Sequence, residues 1–139
     1  MVEADIAAPQ LLFLIIATAE ITYAFVDHNT LSKSVRNAAR YFAGKAILGT
    51  TGQVLLTAQL LTETQNLAVY GNVAATGSPV VSGLTVGGVQ IVDLGSNNIQ
   101  VTASYPYTGL MGGALPAFGF GGDINLAMTL QATVTMRAL

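Results

Sequence analysis

Cysteine is absent from this 139-residue chain. That excludes disulfides, thiolate metal sites and cysteine nucleophiles. Charge is scarce as well: Asp, Glu, Lys and Arg make up 9% of the residues, against about 25% in an ordinary soluble domain. So few charges cannot cover an isolated globule, and a membrane or neighbouring subunits must hide part of the surface. Basic residues are too few and the net charge of −2 has the wrong sign for electrostatic nucleic-acid binding. Apolar residues reach 52% and the mean hydropathy is +0.58, which excludes a disordered chain. The length suits one domain plus an extension.

Residues 6–19, IAAPQLLFLIIATA, carry no charge and as a helix cover roughly 21 Å, short of a hydrocarbon core of ~30 Å. Extension to Val26 gives roughly 31 Å but takes in Glu20, whose charge costs on the order of 2.5–3.5 kcal/mol at a bilayer centre. The segment therefore reads as a marginal transmembrane helix. Two acids, Glu3 and Asp5, precede it, as expected of a chain from which a basic leader has been removed. Pro9 predicts a kink or a broken first turn.

Beyond Val26 the pattern turns amphipathic. Leu31, Val35, Ala38 and Phe42 share one helical face, and Lys33, Arg36 and Arg40 recur on another. The spacing predicts one nearly continuous helix from Glu3 to Leu48, ended by Gly49-Thr50-Thr51-Gly52, with acids early and bases late in accord with the helix dipole. Such a helix is too long to be buried in a small domain and must project. Residues 54–68 suit a second, shorter helix with Leu56, Leu60, Glu63 and Leu67 on one face, although their Val and Thr content would tolerate a strand.

From Tyr70 the composition shifts to Gly, Val, Thr and Ser. VGGVQIVDL, the turn Gly95-Ser96-Asn97-Asn98 and IQVTASY predict a β-hairpin. In DINLAMTLQATVTMRAL, Ile124, Leu126, Met128, Leu130, Ala132, Val134 and Met136 share one face of a strand that pairs antiparallel with the hairpin and packs on the long helix. The fold expected is α+β: a long N-terminal helix over residues 1–49, then a head over 50–139 with a short helix and an antiparallel sheet.

No catalytic site is legible. His28 and Asp27 are adjacent and diverge on a helix. Asp93 and Asp123 read as turn and edge residues before an acid–base pair or a cation site. The glycines at 112, 113, 119, 121 and 122 lead into a strand and lack the Gly-Lys-Ser/Thr of a phosphate cradle. Tyr105, Tyr107, Phe118 and Phe120 read as packing residues before base- or sugar-stacking ones. No cofactor and no metal ion are expected.

VEADIAAPQLLFLIIATAEITYAF followed by NTLSKSVRNAARYFAG resembles the N-terminal signature of TadE-like proteins of the tight-adherence (Tad/Flp) type IV pilus systems. Val2-Glu3, Pro9, Glu20, Tyr23, Phe25 and Asn37-Ala38-Ala39-Arg40-Tyr41 stand where that family reads "VEFALVAP", an acid, an aromatic and "LTNAAREGARYA". NLAVYGNVAATGSPVVSGL, VTASYPYTGL and ATVTMR are similar to its head segment, so the resemblance covers nearly the whole chain. It departs at Ala4, where the family commonly has an aromatic.

The resemblance implies a pilin: a precursor held in the inner membrane, trimmed by prepilin peptidase, and extruded by an ATPase-driven machine into a homopolymeric adhesive filament. It leaves open a minor pseudopilin or a membrane-resident priming component. Asp5, or Glu3, would pair with the α-amine of a neighbouring subunit. Glu20 and Asp27 would match Lys33, Arg36 and Arg40 across subunits. Leu12, Ile15, Ile16, Tyr23, Leu31, Val35 and Phe42 would pack the helices together.

Overall fold

A computed structural model describes residues 2–47, 49, 52–119 and 121–139, with the side chain of Val2 excepted. Its first element, α1, is a 44-residue helix over Val2–Lys45, about 66 Å long. Glu3 and Asp5 lie in its first turn and Lys45 in its last, each favourable to the helix dipole. The first turn is not broken as expected. The helix runs through Pro9 without interruption, at the cost of the one hydrogen bond that the imino nitrogen cannot give to the Asp5 carbonyl.

The helix ends at Lys45, before the expected Leu48. Ala46 donates back to Phe42 O at 2.8 Å, and Ile47 then forms a β-bridge with Val54, so the backbone is already paired outside the helix. Leu48, the expected last residue, and Thr50 and Thr51 of the expected breaker lie outside the described residues.

The second helix, α2, covers Ala58–Tyr70. Thr57 caps it by accepting from Leu60 N, and Gly71, in the left-handed region at φ 72°, closes it by donating to Leu67 O. Residues 54–57 are therefore excluded, and the buried face is Leu60, Thr64 and Ala68, with Val69 beside it. Leu56 lies ahead of the cap at Thr57, and within the helix Thr64 and Ala68 are buried in place of the expected Glu63 and Leu67. Ser34 Oγ on α1 ties the pair together by donating to Ala68 O at 2.6 Å.

A short 3₁₀ turn, Val86–Gly88, leads into β1 (Val89–Gly95), which pairs antiparallel with β2 (Asn98–Tyr107) from Val89↔Ala103 to Gly95↔Asn98. The tip is Ser96-Asn97, both at positive φ (53° and 61°), the backbone of a type I′ hairpin turn. The expected hairpin is present. Strand β5 (Met128–Arg137) pairs antiparallel with β2 over ten residues, giving the order β1-β2-β5.

The long final strand expected from 124 onward is split. Ile124–Asn125 forms β4 and pairs with β3 (Ala114–Leu115) in a separate two-stranded ribbon. The Asn125 side chain accepts from Ala127 N at 2.8 Å, a local turn that breaks the ladder before Met128. Ile124 and Met128 are consequently half exposed, whereas Ala132 is buried and Leu130, Val134 and Met136 are partly buried against the core.

The core forms where alternate β2 residues Ile99, Val101, Ala103, Tyr105 and Tyr107 meet Leu31, Val35, Ala38 and Phe42 of α1, all almost fully buried. Residues 1–49 and 50–139 thus mark a boundary between elements, while the core runs across it. The head also reaches down the helix. Along α1, Pro9, Phe13, Ile16, Ala17, Glu20, Ala24 and Asp27 are shielded at helical spacing, continuing the core stripe toward the N-terminus. Segment 108–127 lies beside this stripe, with Leu115 buried and Phe118 near Pro9 and Leu12. The helix projects from the core, but with one side lined.

Candidate functional site

The opposite side of α1 is bare. Leu11, Leu14, Ile15, Ile21 and Phe25 are each 61–71% exposed and recur at spacings of three, four and seven. With Val26, 54% exposed, they make an apolar face on α1, and Ile6, Leu12 and Tyr23, along or beside the shielded stripe, add exposed apolar surface beyond what a monomeric protein normally shows. The threonines on or beside it are internally satisfied. Thr18 Oγ1 donates to Leu14 O and Thr22 Oγ1 to Thr18 O, both at 2.8 Å, and Thr30 Oγ1 donates to Val26 O at 3.0 Å. Hydroxyls folded back on their own helix leave a surface that can be dried at little cost.

Of the residues singled out for helix packing, Ile15 belongs to this exposed half, Leu12 and Tyr23 are exposed beside the shielded stripe, and Ile16 is half-buried. Leu31, Val35 and Phe42 are wholly buried in the chain's own core. They hold the head on the helix and have no surface left for another helix, because the β-sheet and α2 occupy that face.

Glu20 likewise departs from expectation. It is 4% exposed and its partners are in the same chain: Met111 N donates to Oε1 at 2.7 Å and the Tyr107 hydroxyl lies 3.2 Å from Oε2. A buried carboxylate needs such donors, since its desolvation otherwise costs several kcal/mol. The end of β2 delivers the Tyr107 hydroxyl, and the turn that follows it delivers the Met111 N–H. Gly109 makes the approach possible: it sits at φ +64°, and a Cβ there would run into Glu20 Oε2. One turn pair up, Asp27 Oδ2 accepts from the Tyr105 hydroxyl at 3.2 Å. The charge match across subunits expected of Glu20 and Asp27 therefore gives way to hydrogen bonds within the chain.

Burial, with the neighbouring Asp27 carboxylate second, pushes the Tyr105 hydroxyl far above tyrosine's usual range. Burial and then Glu20 push Tyr107 up to about 12. Both hydroxyls stay protonated and act as donors to the acids.

Tyr105, Tyr107, Gly109 and Met111 are the residues that sequence reasoning missed as partners of the acids. A signal existed. Glu20 and Asp27 are seven apart, two helical turns, so they share a face, and Tyr105 and Tyr107 are two apart on a strand, so they share one too.

The remaining candidates are local. Asp93 accepts from Gly95 N at 2.8 Å and Asp123 from Ala117 N at 3.2 Å, so both act as turn caps. His28 Nε2 lies 3.2 Å from Gln131 O on β5. Phe118 is exposed near Asp5, and Phe120 lies outside the described residues. A groove of ≈ 330 Å³ between Ile21, Ala24 and Phe25 on α1 and Leu126, Met128 and Leu130 is almost wholly apolar. Glu3, Asp5, Lys33, Arg36 and Arg40 are all exposed. Among the described residues the ion pair formed is Lys45–Glu63, at 3.8 Å, with the Tyr41 hydroxyl bridging it.

Compared with protein-family models, with curated proteins and with solved structures, the chain matches none.

Proposed function

We propose that this chain is a pilin-like structural subunit that polymerises through its long N-terminal helix into a helical surface filament of the tight-adherence kind. The observation that carries the reading is the bare apolar face of α1, set opposite the stripe that its own head already covers. Covering Leu11, Leu14, Ile15, Ile21 and Phe25 with neighbouring helices stabilises by about 1–2 kcal/mol each, or on the order of 5–10 kcal/mol per subunit. A helix bundle at the centre of a filament provides that cover and leaves the heads outside.

The same helix is long and apolar enough to cross a membrane by length and composition. In this reading residues 6–19 hold the precursor in the inner membrane before prepilin peptidase and the assembly ATPase act. Segment 109–127 cannot accompany them into hydrocarbon beside the helix, because its irregular backbone would go unsatisfied. Its contacts beside Pro9, Leu12 and Phe13 thus belong to the subunit after extraction.

Electron microscopy and mass analysis of sheared surface material from expressing cells test the proposal. Filaments composed mainly of this chain, lost on Phe25→Asp while the variant keeps its helical and sheet content, are expected. A chain that remains wholly in the membrane fraction, with no filaments, would instead identify a membrane-resident priming component.

A further inference from the structure

The chain's charges can be accounted for almost completely. Glu20 and Asp27 accept from tyrosines, Glu63 pairs with Lys45, and Asp93 and Asp123 cap turns. What remains is Glu3 and Asp5 at one end of α1 and Lys33, Arg36 and Arg40 toward the other, with Arg137 on β5. At 3.6 residues per turn, Glu3 projects along the same meridian as Leu14, Ile21 and Phe25, on one edge of the bare face, while the three bases lie roughly 60–120° around from it, in line with Leu11 and Asn29. Asp5 lies off to the flank, beside Pro9 and Phe118. The bare face of α1 is thus acidic at its start along one edge, apolar through its middle, and basic at its end toward the other edge, so that the two charged ends can face each other across parallel neighbours.

We infer that this face binds a second copy of the chain, with Glu3 of one copy seated on the Lys33–Arg36–Arg40 row of another, so that parallel neighbours are displaced along the filament axis by about 45–55 Å (30–37 residues at 1.5 Å each). The inference rests on the filament reading, which gives all copies one orientation because they leave one membrane. In register, the basic rows of parallel copies would face each other and repel. Displaced by the length between Glu3 and the bases, unlike charges meet, and neighbours at smaller displacements cover the apolar middle. Desolvation inside a filament makes such a pairing matter more than it would on an exposed surface. An anionic lipid surface would suit the bases but would leave Glu3 without a role.

Charge exchange tests this in full-length chain assembled in cells. Glu3→Lys alone, and Lys33→Glu with Arg36→Glu and Arg40→Glu, should each lower the assembled fraction by about tenfold or more, the effect of ~1.4 kcal/mol per contact. The four substitutions combined should restore it. Because the chain has no native cysteine, Ala4→Cys with Asn37→Cys adds a direct readout. Oxidation should give a ladder of cross-linked oligomers, as a head-to-tail contact requires.

Cross-linking that stops at dimers, together with self-cross-linking of Thr18→Cys, would show an antiparallel two-fold pair and overturn the displacement. Normal assembly of the charge-reversed variants, even if they lose binding to anionic vesicles, overturns the inference and leaves the filament reading intact. Absence of filaments from the unaltered chain overturns both.

Discussion

Replacing Gly109 with alanine isolates the contact between head and lower helix. The new Cβ runs into Glu20 Oε2 and stands 3.0 Å from Cδ and 3.1 Å from Oε1, so the carboxylate must leave its seat. Glu20 then loses or weakens two hydrogen bonds to a charged acceptor, each worth ~1.5–3 kcal/mol. Alanine at φ +64° adds about 1 kcal/mol of backbone strain. The sum is a destabilisation of about 3–5 kcal/mol, allowing for partial rehydration of the acid.

Gly119→Ala is the control: its φ is +89° and nothing lies within 4 Å, so it carries strain alone, about 1–2 kcal/mol. Urea unfolding of the detergent-solubilised full chain, followed by circular dichroism, measures both. In a Glu20→Ala background Gly109→Ala should fall to the cost of its control, giving a coupling energy above about 1.5 kcal/mol. The reasoning fails if the two glycine variants agree within about 0.5 kcal/mol, the ordinary error of additivity, or if the coupling vanishes.

Three further outcomes are expected. Raised hydroxyl pKa values mean that the neutral tyrosines stabilise the fold fully below pH 10 and progressively less as pH climbs toward about 12, so tyrosinate absorbance of Tyr105 and Tyr107 should appear only together with unfolding. Phe42→Ala, in the core between α1 and the sheet, should cost about 3–5 kcal/mol and release the head from the helix, seen as a large shift in the urea midpoint. Ile15→Ala, on the bare face, should leave that midpoint within about 0.5 kcal/mol of the unaltered chain while weakening assembly in a sedimentation assay.

Much of the fold was legible because its signals are local. Leu31, Val35, Ala38 and Phe42 announce their face by spacing alone, and alternation with a Ser-Asn tip announces the hairpin. The misses were also physical. Thr57 and Asn125 each redirect the backbone with one side-chain hydrogen bond, which shortened α2 and split the last strand without altering the hydrophobic pattern. Pro9 does not break the first turn, since a long helix with seven residues before the ring loses one bond and continues. The acids of α1 were the largest misreading. Their partners Tyr105, Tyr107 and Met111 lie 78, 87 and 91 residues away; periodicity shows that the acids share one face and the tyrosines another, but not that the two faces meet.

By itself the sequence determined that this chain has more apolar surface than charge to cover it, and that a long helix carries the excess; both follow from composition and from a period of 3.6 residues. Tertiary structure decided which face of that helix remains uncovered and which of its charges remain unsatisfied. Those are properties of what packs against the helix. Only once the sheet and segment 108–127 are laid on one side do Leu11, Leu14, Ile15, Ile21 and Phe25 become the side that neighbours must cover, and Glu3 and the row of bases the charges left to guide them.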